Sequence, residues 1–262
     1  MIFKSVFILW LALFTAGCMA VDLRTKELQS EGALPSLQFQ GDEFLKKTFQ
    51  AHDPENSTDR FNFVTVIAVD EWKANVFRLL TPIENPAQKI QFTFAFKSND
   101  AEMLYLDGKS AGDSFGIRNF GTYCAKSGRV AVKKPVDTGL YLSPARNYFL
   151  WPFILRNSAA IAYAGEGLVG SQEYDKVFVS KDVFFAEGDS DQCVVWINKS
   201  TGLIDYIEFT LRNLSKAYHG AVQYLDYRET QGVWMPYEVM LIDQVGSFNY
   251  SHRFMVEKIE FK

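Results

Sequence analysis

Cysteine and histidine are scarce, three of each in 262 residues. No Cys-x-x-Cys and no Cys/His cluster with zinc spacing occurs, which excludes a zinc-built fold. Positive charge is not in excess either. Lysine and arginine number 27 against 31 acids, so the net charge of -4 gives no reason to expect nucleic acid as a partner. No apolar run reaches the roughly 20 residues of a membrane-spanning helix. What is abundant is apolar and aromatic material, 48% hydrophobic with 23 phenylalanines, which rules out a disordered chain and supplies a sizeable core. The length suits one large all-β or α+β domain.

The chain opens as an export signal. Lys4 gives a short positive start, Val6 to Phe14 is an apolar run, and the small residues Thr15-Ala16-Gly17 lead into Cys18. An apolar run ending in Ala-Gly-Cys resembles the lipobox of bacterial lipoproteins. That resemblance implies that Cys18 is acylated, with chains such as palmitate, and becomes the new N-terminus. The other reading is an ordinary secretory signal cut near Ala20. Two acyl chains would hold the protein firmly to a membrane. Met19, which is not Asp, points by the same resemblance to the outer membrane, facing the periplasm. Cys124 and Cys193 then remain as an even pair in an oxidising compartment, either joined as a disulfide or buried as two thiols.

Three segments follow from this reading: 1–17 as signal peptide, 18–36 as a polar tether, and 37–262 as a single β domain. Asp42 can cap a helix over Glu43 to His52, with Phe44, Leu45, Thr48 and Phe49 on one stripe. Phe61 to Val69 reads as a strand, and another begins near Val76 to Leu80. Ile90 to Lys97 shows the cleanest alternation, with Ile90, Phe92, Phe94 and Phe96 on one face and Gln91, Thr93 and Lys97 on the other. Met103 to Asp107 and Ser114 to Phe120 form a hairpin.

From Lys134 the texture changes. Pro135, Pro144 and Pro152 punctuate an aromatic segment that fits no period of two. Ser143 to Ala160 is expected as one or two short helices, with Ser143 as cap and Pro144 in first position. Apolar residues crowd their circumference, so they are either core or a plug over a cavity. Leu168 to Ser180 and a short Val183 to Phe185 return to strand. The hairpins Gln192–Ile197/Leu203–Leu211 and Ala221–Arg228/Val233–Ile242 follow, and Phe248 to Phe261 closes the sheet. In Val233 to Ile242 both faces carry apolar side chains, which implies a curved antiparallel sheet whose concave face meets something besides water.

Chemical motifs do not survive their structural requirements. Gly108-Lys-Ser-Ala-Gly112 matches the serine-hydrolase pattern and would make Ser110 a nucleophile. That chemistry needs a strand-to-helix turn, and a hairpin is expected here instead. Gly165-Glu-Gly-Leu-Val-Gly170 matches a dinucleotide fingerprint by letters, but strand follows where a helix N-terminus is required, so it is expected as a loop. Asp189 and Asp191 lack the remaining ligands of a calcium loop. His52, His219 and His252 are scattered. No catalytic residue, metal or cofactor is implied.

The lipobox, the helix near 42–52, the Phe77-Arg-Leu79 segment before Pro82, the Leu106-Asp-Gly-Lys109 hairpin and the Trp196-Ile-Asn-Lys-Ser-Thr-Gly-Leu203 hairpin together resemble the LolA/LolB-like lipoprotein carriers. So does Tyr224-Leu-Asp-Tyr-Arg-Glu-Thr-Gln-Gly-Val-Trp-Met-Pro236. The resemblance implies an α+β, mainly antiparallel fold, an incomplete curved β-barrel with short helices as lid or plug. It also implies a monomer that is no enzyme and binds lipid or lipoprotein acyl chains in an apolar cavity. The expected lining is Phe92, Phe94, Phe96, Phe149, Trp151, Phe153 and Trp196, each of which is otherwise closed core. The rivals are an envelope hydrolase using Ser110 and a structural lipoprotein with a solid interior.

Overall fold

The computed structural model describes residues 20–30, 34–74, 78–126, 129–131, 138–181 and 190–262. Six strands follow one another as an up-and-down meander: β1 (Phe63–Trp72), β2 (Ala87–Ala95), β3 (Ala101–Tyr105), β4 (Ser114–Arg118), β5 (Gly121–Lys126) and β6 (Arg129–Ala131). One helix, α3 (Thr138–Ile154), then carries the chain to the far edge of the sheet. A second meander returns through β7 (Ala160–Val169), β8 (Gln172–Ser180), β9 (Gln192–Asn198), β10 (Ile204–Thr210), β11 (His219–Thr230), β12 (Val233–Ile242) and β13 (Tyr250–Phe261). The last strand pairs antiparallel with the first, so thirteen strands form one sheet in the order β6-β5-β4-β3-β2-β1-β13-β12-β11-β10-β9-β8-β7. β6 and β7 do not pair, and the barrel stays open along that seam. The expected antiparallel, incompletely closed sheet is the observed one.

Alternation decides which side chains face inward. Val64, Val66 and Ala68 of β1, Ile90, Phe92 and Phe94 of β2, and Phe254 of β13 are buried on the concave face. Against them lies α3, whose circumference is almost wholly apolar, as a helix through a core must be. Phe149 sits among Phe92, Phe94 and Phe254, with ring centroids 6.3, 5.8 and 5.3 Å away. Of the two outcomes open for this segment, it fills the concave face.

Its prolines stand inside one continuous helix that starts at Thr138, so Pro144 is not at the first position. A proline in a helix interior takes the N–H away from the carbonyl four residues earlier. For Pro152 that carbonyl belongs to Tyr148, and the Tyr224 hydroxyl of β11 donates to it instead at 2.7 Å. The sheet thus repairs the helix.

Among the described residues two α-helices precede the sheet: α1 (Lys26–Ser30) and α2 (Pro35–His52). The second begins well before the expected Glu43, with Pro35 in its first turn, so Asp42 is an exposed helical residue and not a cap. α2 covers the edge strand β7, which blunts an otherwise free edge. Gly41 makes this possible, because a Cβ there would lie 2.7 Å from the Ala162 carbonyl carbon. At its end the His52 ring bridges two strands, donating from Nδ1 to the Trp234 carbonyl and accepting at Nε2 from the Ile204 N–H, each at 3.2 Å.

Several expectations are corrected. The tether is not free: Val21 N–H donates to the Lys216 carbonyl, Leu23 N–H to Gln192 Oε1, and Leu28 is buried with Ala162, Phe178 and Val194 on the convex face. Arg78 to Leu80 is a helical turn, not strand; residues 75–77 lie outside the described residues. Residues 165–170 are not a loop. Residues 165–169 continue β7 through a register shift between Tyr163 and Glu166, where Gly165 takes a φ of +84° that suits glycine, and Gly170 opens the turn to β8. Cys18, Val183 to Phe185 and Asp189 fall outside the described residues. Cys124 and Cys193 are both buried, and Cys193 is a free thiol, so no disulfide joins them: their strands β5 and β9 sit in opposite halves of the sheet.

Candidate functional site

Where the barrel fails to close, a cleft of about 670 Å³ opens, within the usual size of ligand sites. One wall is the β2–β3 loop from Phe96 to Asp100 with the β4–β5 turn at Asn119 and Phe120. The other is the end of β8 and start of β9, with Val179, Ser180, Lys181, Asp191 and Cys193. The second half of α3 forms the floor through Arg146, Trp151 and Ile154, continued by Leu155 just after it. The cleft is therefore amphipathic, apolar along α3 and polar at the rim.

The β4–β5 turn is conformationally unusual. Asn119 and Phe120 both have positive φ, 49° and 63°, which a two-residue hairpin turn requires but phenylalanine disfavours. Phe120 is also 86% exposed at the cleft mouth.

Arg146 is the only charged residue of α3. It is 6% exposed, and its guanidinium donates to the Ala95 carbonyl at 2.8 Å and to the Ser98 carbonyl at 2.8 Å. Burial pulls its pKa down from the ordinary arginine value. Across the cleft, burial raises the Asp191 carboxyl, although Arg212 N–H donates to it at 2.7 Å. Burial likewise pushes the Cys193 thiol up.

A second polar cluster is buried and lies under the start of α3. Asp70 Oδ2 accepts from the Tyr141 hydroxyl at 2.6 Å and from Trp72 Nε1 at 2.8 Å. Asp70 Oδ1 faces His252 Nε2 at 3.5 Å, and neither atom has a hydrogen bond among the described residues. Burial pushes Asp70 up to about 7 and His252 down to about 3.

The sequence-derived lining divides into three groups. Phe96 and Trp151 line the cleft. Phe92, Phe94 and Phe149 are fully buried against one another, and Phe153 is buried against Phe96 and His52. Trp196 is on the wrong face. β9 turns Cys193, Val195 and Ile197 inward, so Trp196 projects from the convex side, where its Nε1 donates to Glu208 at 3.1 Å and Lys176 sits 5.1 Å from its ring. Arg146, Ile154, Leu155 and Val179 were not anticipated. A lone arginine in an uncharged aromatic stretch was the available signal.

Ser110 stands in the β3–β4 hairpin turn, and its Oγ donates to Glu84 at 2.6 Å, with no helix following it. Asp191 is committed to Arg212 and Thr210. No group of metal-ligating side chains occurs among the described residues. None of the described helices is long and apolar enough to cross a membrane.

No protein-family model and no curated protein sequence matches the chain. Solved structures do. A domain assigned to outer membrane lipoprotein sorting, from Vibrio parahaemolyticus, aligns with TM-score 0.56 at 11% identity, over 86% of this chain and 93% of that one. A DUF1329 family protein from Desulfovibrio piger aligns with TM-score 0.57 at 9% identity, over the same shares. At such identities the likeness is one of fold. The chain shares the overall fold of these two solved structures.

Proposed function

We propose that this is a lipid-anchored protein of the bacterial envelope that binds lipid or lipoprotein acyl chains and carries or receives them without catalysing a reaction. The cleft at the unclosed seam supports the reading: it is open, of ligand size, and floored by Trp151, Ile154 and Leu155. Each methylene buried there contributes about 0.8 kcal/mol, so even a partly inserted chain is held. Phe96 and Trp151 are the aromatic contacts of that chain. Cys18 is the acylated anchor, and the outer membrane is its site.

Native mass spectrometry of the mature protein purified from membranes tests this. Bound acyl species are expected, together with an N-terminal mass increase that Cys18→Ser abolishes. A ligand-free protein that also fails to take up added lipid refutes the binding reading.

One observation favours a second reading, a structural lipoprotein without a ligand. The concave face is filled by α3, with Phe149 packed among three other rings. Under that reading added lipid leaves the protein's melting temperature unchanged.

A further inference from the structure

A buried cation needs an explanation. Arg146 is 6% exposed, yet its partners are neutral carbonyl oxygens, Ala95 and Ser98, and no ion pair among the described residues includes it. Removing a charge from water without a hydrogen-bonded counter-charge is costly. Asp100 acts on Arg146 through space and without a hydrogen bond, and both acids of the lining are engaged elsewhere. Asp100 Oδ1 accepts from the Asn119 N–H at 3.0 Å, and Asp191 Oδ1 from the Arg212 N–H at 2.7 Å. The rim adds Lys97 and Lys181. Three cations against two acids leave the cleft lining at +1, although the whole chain is at -4. Next to this basic end run the apolar surfaces of Trp151, Ile154, Leu155 and Val179.

We propose that the cleft takes a single-chain amphiphile with an anionic head, a carboxylate or a phosphate. The head sits on Arg146 between Lys97 and Lys181, and the hydrocarbon tail lies along Phe96, Trp151 and Ile154. This rests on the acyl-binding reading and adds the charge of the headgroup. With Nε and Nη2 committed to the Ala95 and Ser98 carbonyls, the Nη1 amino group is left to donate a charge-assisted hydrogen bond to either oxyanion. A neutral head would add nothing to the through-space attraction of Asp100.

Calorimetric titration of the mature protein, below the micelle concentration of each probe, tests the inference. The probes share a dodecyl-length chain: laurate, dodecyl phosphate and neutral monolaurin. Laurate and dodecyl phosphate are expected to bind about tenfold or more tighter than monolaurin, the value of one hydrogen-bonded charge contact. Arg146→Gln is expected to remove that preference and leave monolaurin binding unchanged. Whichever anion binds tighter identifies the head chemistry.

Equal binding of all three in the native protein overturns the headgroup site while leaving the acyl cleft standing. A preference that survives in Arg146→Gln also overturns it. Failure of every probe to bind sinks the acyl-binding reading itself. If Arg146→Gln does not fold, the probe comparison in the native protein still decides, because it needs no variant.

Discussion

Replacing Tyr224 by Phe should destabilise the protein through one atom. The ring is 1% exposed and Phe preserves its shape, so no cavity opens. What is lost is the hydroxyl that donates at 2.7 Å to the Tyr148 carbonyl. That carbonyl has no helical donor because Pro152 stands four residues on, and it lies in a dry interior. An orphaned buried acceptor costs about 1–3 kcal/mol. For a domain of this size that corresponds to a fall in Tm of roughly 2–4 °C per kcal/mol. Urea melts give the free energy directly. The decisive measurement is a double-mutant cycle with Pro152→Ala, which restores a backbone N–H for the same carbonyl. In that background Tyr224→Phe should cost less than about 1 kcal/mol, a coupling typical of shared partners. If Tyr224→Phe is silent alone, or costs the same in the Pro152→Ala background, the proline-repair argument is wrong.

Further predictions concern charge, contact and strain. Burial holds Asp70 up at about 7, so the folded state keeps a proton that the unfolded chain has released; this stability is complete below the ordinary carboxylate pKa and is lost as pH rises through 7. Its limit is about 4 kcal/mol. Asp70→Asn can still accept from Tyr141 and Trp72, so its stability relative to the native protein should grow between pH 5 and pH 8, and a parallel pair of pH profiles would refute this. His52 runs the other way. Burial lowers it to about 4, so its contribution is present above the ordinary histidine pKa and is lost as pH falls through 4, and His52→Gln should flatten the acid limb of the stability profile. Gly41→Ala puts a methyl against the Ala162 backbone and should cost about 1–3 kcal/mol by thermal melt; a neutral result would show that α2 can slide on β7. Phe120→Gly relieves a left-handed phenylalanine and should raise stability by up to about 1 kcal/mol while weakening laurate binding. A drop in stability would contradict strain at that turn.

The strands were legible because their period is local. Ile90 to Phe96 alternates cleanly, and the observed register buries Ile90, Phe92 and Phe94 as the pattern requires. The long-range steps were not legible. Nothing in Gly165-Glu-Gly-Leu-Val-Gly170 distinguishes a loop from a bulged strand until β8 pairs with it. Pro144 read as a helix start because a proline inside a helix is tolerable only with support from elsewhere in the fold, as Tyr224 supports the helix around Pro152 from a distant strand. Trp196 was misplaced for want of a known facing, since β9 is apolar on both sides and only pairing decides which side looks inward. Arg146 went unnoticed because its meaning is spatial: a lone cation matters only once carbonyls, and not acids, are seen around it.

The docking of residues 20–23 bears on how the proposed anchor would orient the molecule. Arg212 donates to the Val21 carbonyl at 2.7 Å and to the Ser190 carbonyl at 3.0 Å, beside Asp191 of the cleft. Cys18 precedes Ala20 by two positions, a reach of about 7 Å at full extension. If Cys18 carries the proposed anchor, so short a reach turns the Ser190–Asp191 side of the cleft toward the bilayer, like a cup moored by its lip.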